Sequence, residues 1–315
     1  MNNYYHIEGT EKFGYSTQNR CWYSFYLFMN TVKRVCSLYH YASVHDLNGY
    51  ASHFLYRRLK AFDTLIKVVE VHKDYLSSNC ILRMLGDSVA VFNLIYMESD
   101  SKQRWLRHAL YVIEGCEQNL KVLPEDGINE NVMPEEEVKI FNERLRHNIE
   151  LRHRLMKESQ QVIDASPLKN RDKEAFEKIV KDRNWKFKTF KTYKNRRDNQ
   201  YTWEEMYDMI NEYEGKSHLS FLSQYVHSLS MSNIVMEMNI ENRDGVLIET
   251  TTLIDKLNEY ALKYFAMDIL HIMNGLFDPE MRDKLLSCYD EKHRPSIEQW
   301  DKDVQSYIHR IKGGR

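Results

Sequence analysis

Apolar residues recur at intervals of three and four along most of the chain, the period of a helix buried along one stripe. Between about Ser16 and His45 the stripe is Trp22, Phe25, Tyr26, Met29, Val32, Val35, Cys36 and Tyr39. Asp46 and Asn48-Gly49 read as a break. A second stripe, Phe54, Leu55, Leu59, Phe62, Leu65, Ile66 and Val69, predicts a helix from about Tyr50 to His72. Asp74 can cap a third helix reaching Met97. That helix is apolar on nearly every side, from Ile81 and Leu82 through Val89–Phe92 to Ile95, and belongs at the centre of a bundle.

Ser99-Asp100 predicts the start of a fourth helix, ending near Leu123. Pro134 followed by Glu135, Glu136 and Glu137 is a helix start, because proline suits the first turn and acids suit the N-terminal dipole. That fifth helix runs to about Ala165, is highly charged and carries only a thin apolar face. A short helix from about Asp172 to Asp182 precedes an irregular stretch, Arg183 to Gln200. Thr202 is placed to cap a helix through Tyr213, and another starts near Ser217. Asp255 to Leu276 and a segment opened by Pro295 complete the pattern. The expected fold is all-α, a bundle of about ten helices with little or no strand. The linear pattern divides into an N-terminal helical bundle at 1–165, a basic-aromatic connector at 166–200, and C-terminal helices at 201–315. One continuous bundle with an insertion at that connector fits the pattern equally well.

Composition agrees with this picture. Only 5 Pro and 11 Gly occur in 315 residues, too few for a turn-rich sandwich or barrel. The formal net charge is -2, so total charge selects neither nucleic acid nor membrane as a partner. Five cysteines stand far apart with no Cys-x-x-Cys spacing, which predicts buried free thiols in a reducing compartment. No apolar leader opens the chain and no run approaches 18 apolar residues, so the expected location is the cytoplasm, with no membrane partner.

Three places carry candidate chemistry. On the third helix, Arg83 and Asp87 stand four apart on one face of an otherwise apolar helix. They predict either a buried ion pair that fixes packing or a cation held for an anionic ligand. The segment His218–Asn233 places Ser220, Ser223, His227 and Ser230 along a polar line, with Ser223 and His227 four apart. A histidine satisfied by hydroxyls and a titrating acid or base are the two readings. The third place is Arg183–Arg197, with seven basic residues, no acid, and Trp185, Phe187, Phe190 and Tyr193 interleaved. Lys186, Lys188, Lys191, Lys194, Arg196 and Arg197 could meet phosphates while Trp185 and Phe187 stack on unpaired bases. The alternative is a surface segment pinned by its aromatic residues. Glu150-Leu151-Arg152-His153 has a di-iron spacing, with Asp268–His271 as its sole near companion, so the ligand set is incomplete and no metal or other cofactor is expected.

The blocks Ile81–Met97 and His218–Asn233, with Asn184–Lys186 and Tyr201–Tyr207, resemble the best-marked segments of a family of uncharacterised bacterial all-helical proteins. The resemblance covers roughly residues 74–233. In that family the arginine is paired with an acid, usually glutamate, where this chain has Asp87. A glycine commonly follows the histidine, where this chain has Ser228. The family's helical arrangement is similar to that of HEPN domains, many of which act on nucleic acid in prokaryotic defence. The resemblance implies a bundle that brings Arg83, Asp87, Ser223 and His227 near one another. HEPN ribonucleases carry an arginine, then four to six intervening residues, then a histidine. Arg34–His40 and Arg146–His153 have that spacing, no more often than chance supplies.

Two functions therefore stand as expectations. One is a binding or effector protein of a defence or stress system, acting on RNA or another single-stranded nucleic acid. Its enzymatic form is a metal-independent ribonuclease with His227 as general acid or base and Arg83 stabilising the phosphorane charge. The other is a non-catalytic helical module for a protein partner or a second copy of the chain, in which Arg83, Asp87, Ser223 and His227 form a buried structural cluster.

Overall fold

The computed structural model describes residues 17–39, 43–124, 127, 128, 133–190, 193–210, 215–227 and 243–265. Nine α-helices occur among them: α1 (Thr17–Leu38), α2 (Leu47–Lys67), α3 (Tyr75–Tyr96), α4 (Ser101–Leu120), α5 (Glu135–Asp164), α6 (Lys173–Lys181), α7 (Trp203–Asp208), α8 (Gly215–Val226) and α9 (Arg243–Tyr264). The fold is all-α, and the described residues hold no strand beyond two isolated bridges, Ser43 with Asp46 and Phe187 with Gln200. No described helix is long and apolar enough to cross a membrane.

Helix starts follow their side-chain caps. Asp74 accepts from Ser77 N at 3.0 Å to open α3. Asp100 accepts from Lys102 N at 2.9 Å and Gln103 N at 3.4 Å to open α4. Asp172 accepts from Ala175 N at 3.0 Å to open α6. Each bond satisfies a first-turn N–H that has no partner within the helix. The expected break at Asn48-Gly49 is instead the first turn of α2, because Asp46 Oδ1 accepts from Gly49 N at 2.8 Å. The second helix ends in a π turn, Val68–His72, closed by Lys73 in the left-handed region at φ 52°. The helix expected from Thr202 to Tyr213 stops at Asp208. The Pro295 segment, Cys288, and the pair Asp268 and His271 lie outside the described residues.

The chain forms two compact units. Among the described residues, the first takes 17–39, 51–97 and those from 203 on, and the second takes 43–50 and 98–202. The second unit therefore contains the whole of the segment that the linear pattern marks as a connector. The chain passes from one unit to the other between 39 and 43 and at 50–51, 97–98 and 202–203.

In the first unit α3 lies centrally, packed by α7, α8 and α9, with α1 on α9. Its buried residues include Leu82, Leu85, Val89, Phe92 and Ile95, which is why this segment is apolar almost all round. Rings knit this core: Phe28 meets Phe62 at 5.8 Å, Phe54 meets Phe92 at 5.6 Å, and Tyr96 meets Tyr264 at 5.7 Å. The buried Thr31 hydroxyl of α1 donates to Asn258 Oδ1 of α9 at 2.9 Å. The second unit is built on α4 and α5, which pack on each other along their lengths. Val112 and Cys116 of α4 join Val44 in a buried cluster capped by Tyr50 and Leu155. The four described cysteines are free thiols, two of them buried.

Candidate functional site

Arg83, Asp87 and Ser223 meet in the first unit, around a residue that the sequence does not single out. Arg83 pairs with Asp87 one turn along α3. Tyr207 of α7 places its hydroxyl between them: it accepts from Arg83 Nη1 at 3.0 Å and lies 3.0 Å from Asp87 Oδ1 and 3.2 Å from the Arg83 carbonyl, either of which takes its proton. Arg83 Nε reaches Ser223 Oγ of α8 at 3.5 Å. The guanidinium also lies 5.4 Å from the Tyr207 ring centre and 5.9 Å from that of Trp203. One arginine thus ties α7 and α8 to α3.

Gly86 makes this approach possible. A β-carbon built there would lie 2.5 Å from Tyr207 Oη. A glycine inside an apolar helix is the sequence signal of such a close approach. Burial pushes the Tyr207 phenol up to about 12, with the Arg83 charge opposing. The hydroxyl therefore stays protonated at neutral pH and can donate to Asp87.

His227 does not join this network. It follows the last residue of α8, and its ring is exposed. Its backbone N donates to the Ser223 carbonyl at 3.1 Å. The Ser223 hydroxyl donates to the Leu219 carbonyl at 2.8 Å. The serine proton is therefore directed at backbone, and among the described residues no hydrogen bond joins the Ser223 and His227 side chains. The reason is local: a serine inside a helix bonds most easily to the carbonyl four residues back.

The basic-aromatic segment lies in the second unit. Lys188 N donates to the Asn199 carbonyl and Tyr201 N to the Lys186 carbonyl, both at 2.8 Å, so 186–188 and 199–201 pair antiparallel as the base of a short hairpin. One stripe of α4 holds it. Arg107 Nη1 donates to the Trp185 carbonyl at 2.9 Å, and its guanidinium lies 4.0 Å from the Phe187 ring centre. The Tyr111 ring meets Trp185 edge-on at 5.2 Å. Glu114 accepts from Trp185 Nε1 through one oxygen and from Arg196 Nη2 through the other, both at 2.5 Å. Glu117 accepts from Arg183 Nε at 3.0 Å.

This corrects the stacking role expected for Trp185 and Phe187. Both are buried, as are Phe190 and Tyr193. At 5% and 0% exposure, Trp185 and Phe187 offer no free ring face to a base. The acids missing from the segment itself are supplied by α4. Of the cations, Lys188, Lys194 and Arg197 are exposed, Lys186 and Arg196 are half-buried, and Lys191 lies outside the described residues. Burial holds the Lys186 amine below the ordinary lysine range, and the Arg196 charge adds to this.

Arg107 is fully buried, with Glu98 3.5 Å from its Nε. Burial pulls its guanidinium down to about 10, still charged at neutral pH. Next to it His108 is held near 3 by burial and is neutral. Glu150 and His153 are both exposed on α5, and no group of three potential metal ligands converges among the described residues. Arg146 is exposed on the same helix, whereas His40 lies outside the described residues.

No family model, curated protein or solved structure matches this chain.

Proposed function

We propose that this chain is a helical interaction protein, and that its Arg83–Asp87–Tyr207–Ser223 cluster docks helices and carries no reaction. One observation supports this above the rest. The polar groups of the cluster are directed at one another or at backbone, with the Ser223 proton on the Leu219 carbonyl and the Arg83 charge on Asp87. A nucleophile needs a base in reach, and a phosphate-binding arginine needs its charge unspoken for. The partner class that fits is another protein or a second copy of the chain.

The test compares Tyr207→Phe with His227→Ala. Tyr207→Phe should lower the melting temperature, because it strips a hydroxyl from a buried hydrogen-bonded cluster at a cost of about 1–2 kcal/mol. His227→Ala should leave it unchanged, since the ring is exposed. Neither the parent nor the variants should cleave single-stranded RNA without metal. If the parent cleaves RNA and His227→Ala abolishes this with the fold intact, the ribonuclease reading implied by the HEPN-like resemblance replaces this one.

A second reading rests on the exposed Lys188, Lys194 and Arg197 of the hairpin. With its rings buried, the hairpin could meet nucleic acid through phosphates alone. Binding would then be insensitive to base identity and would fall by roughly 0.7 log units per log unit of salt for each single-strand phosphate neutralised. Replacing Lys186, Lys188, Lys191 and Lys194 with Gln should flatten that slope, whereas Trp185→Ala should act on stability. No binding by the parent at low salt ends this reading.

A further inference from the structure

We propose that the second unit binds a small aromatic carboxylate in the groove where the start of α4 meets the end of α5. The open groove has a volume of about 480 Å³, within the roughly 300–1,000 Å³ usual for small-molecule sites. Its walls are apolar: Trp105 and Leu106 from α4, Val162 from α5, and Pro167 from the turn that follows. Leu106 is buried, and the Trp105 ring stands edge-on to His108 at 6.3 Å, so this wall is fixed to the core. A planar ring is the body that packs best on an indole flanked by aliphatic side chains.

The polar groups of the groove favour an anion. Lys102, Gln161 and His45 are among the lining residues, and no carboxylate is. Asp100, the acid nearest Lys102 in sequence, is engaged by the N–H groups of Lys102 and Gln103 and lies 3.7 Å from Arg171. Two of the carbonyls that end α5 are engaged as well: Gln161 O accepts from Ala165 N, and Ile163 O accepts from Ser166 N. Lys102 belongs to no ion pair among the described residues. What the groove offers is thus an apolar slot with an exposed ammonium at its rim, complementary to a ring bearing one carboxylate.

The experiment titrates the full chain with 2-naphthoate and, in parallel, with the neutral 2-naphthalenemethanol. Tryptophan emission and ligand-observed NMR follow binding. Saturable binding of 2-naphthoate is expected, with the alcohol weaker. Lys102→Gln should weaken 2-naphthoate by about two- to fivefold, the worth of an exposed charge pair, and leave the alcohol unchanged. Ala165→Trp, at an exposed lining position, should block both ligands. If circular dichroism shows that this variant misfolds, Gln161→Trp takes its place. Absence of saturable 2-naphthoate binding up to millimolar concentration overturns the proposal. So does unchanged binding in the blocking variant, or equal loss of both ligands in Lys102→Gln. None of these variants touches the first unit, so the outcome is independent of the reading given to Arg83.

Discussion

Arg83 on α3 and Arg107 on α4 are both guanidiniums in well-packed helical units, held in opposite ways. The principal acid for Arg83 is Asp87, one turn along the same helix, and its side chain is 15% exposed. Arg107 is 2% exposed, and its partners are the Trp185 carbonyl, the Phe187 ring and Glu98, all brought by other parts of the chain. The local pair exists wherever α3 is helical. The contacts to Trp185 and Phe187 exist only when that segment is seated on α4. The two should therefore respond differently to loss. Arg107→Ala leaves the Trp185 carbonyl without its donor and removes the cation beside Glu98 and Phe187, and removal of one partner from a buried charged contact costs about 3–5 kcal/mol. Arg83→Ala leaves a half-exposed Asp87 that water can solvate, for roughly 1–2 kcal/mol. Denaturant unfolding measures both. Equal losses would break the distinction between local and distant partners.

Acid sharpens the same contrast through the neighbour of Arg107. His108 is held near 3 by burial, against 6.5 when unfolded. Between those values the unfolded chain carries a proton on this ring that the folded chain does not. Stability is therefore fully present above about pH 6.5 and declines as pH falls, by up to about 1.4 kcal/mol per pH unit. Two hydrogen-bonded carboxylates enter later. Asp74 and Asp100 are held below the usual range by side-chain hydrogen bonds from Ser77 and Gln103, so their contribution is lost only below about pH 4. Burial raises the Asp255 carboxyl, whose contribution grows as pH falls, so the histidine is read as the difference between parent and His108→Leu midpoints from pH 7 to 4.5, the parent declining more steeply. A parent that declines no more steeply than His108→Leu over that range would show that the ring is not protected by burial.

In the first unit the corresponding weak point is Gly86. Its β-carbon position is occupied by the Tyr207 hydroxyl. Gly86→Ala should cost about 1–3 kcal/mol through overpacking, despite alanine's better helix propensity. Tyr207→Phe removes the colliding oxygen, so the same alanine should cost less in that background. A double-mutant cycle reads the difference as coupling. Additive losses would mean that the two residues do not touch.

This contrast also explains what could be read from the sequence. Period and caps mark α3 to α6 closely, because Asp74, Asp100, Asp172 and the proline before α5 act on their own first turns. Arg83 and Asp87 stand out because both partners lie on one helix. Tyr207 does not stand out, since nothing local distinguishes it from 20 other tyrosines, and its partners are 120 and 124 residues away. The polar stripe Arg107, Tyr111, Glu114 and Glu117 has helical spacing, yet on sequence it reads as a solvated face. It becomes a docking surface only once Trp185 supplies an indole and a carbonyl and Arg183 and Arg196 their guanidiniums. For the same reason Trp185 and Phe187 resemble stacking residues until the fold buries them.

Gly115 on α4 is the counterpart of Gly86 and gives the smallest effect. It is exposed, and a β-carbon there would meet nothing within 4 Å. No contact demands glycine, so the residue contributes only backbone entropy that folding must remove. Gly115→Ala should therefore stabilise the second unit by about 0.5–1 kcal/mol, read as a raised unfolding midpoint at unchanged slope. Two glycine-to-alanine changes inside two helices would then have opposite signs, decided by whether a side chain from another helix occupies the site. Should Gly115→Ala destabilise the chain at all concentrations, the α4 surface near Glu114 and Glu117 is packed more tightly than these contacts describe. Should it destabilise only at high protein concentration, that surface is where a second copy sits, and the interaction reading gains a specific face.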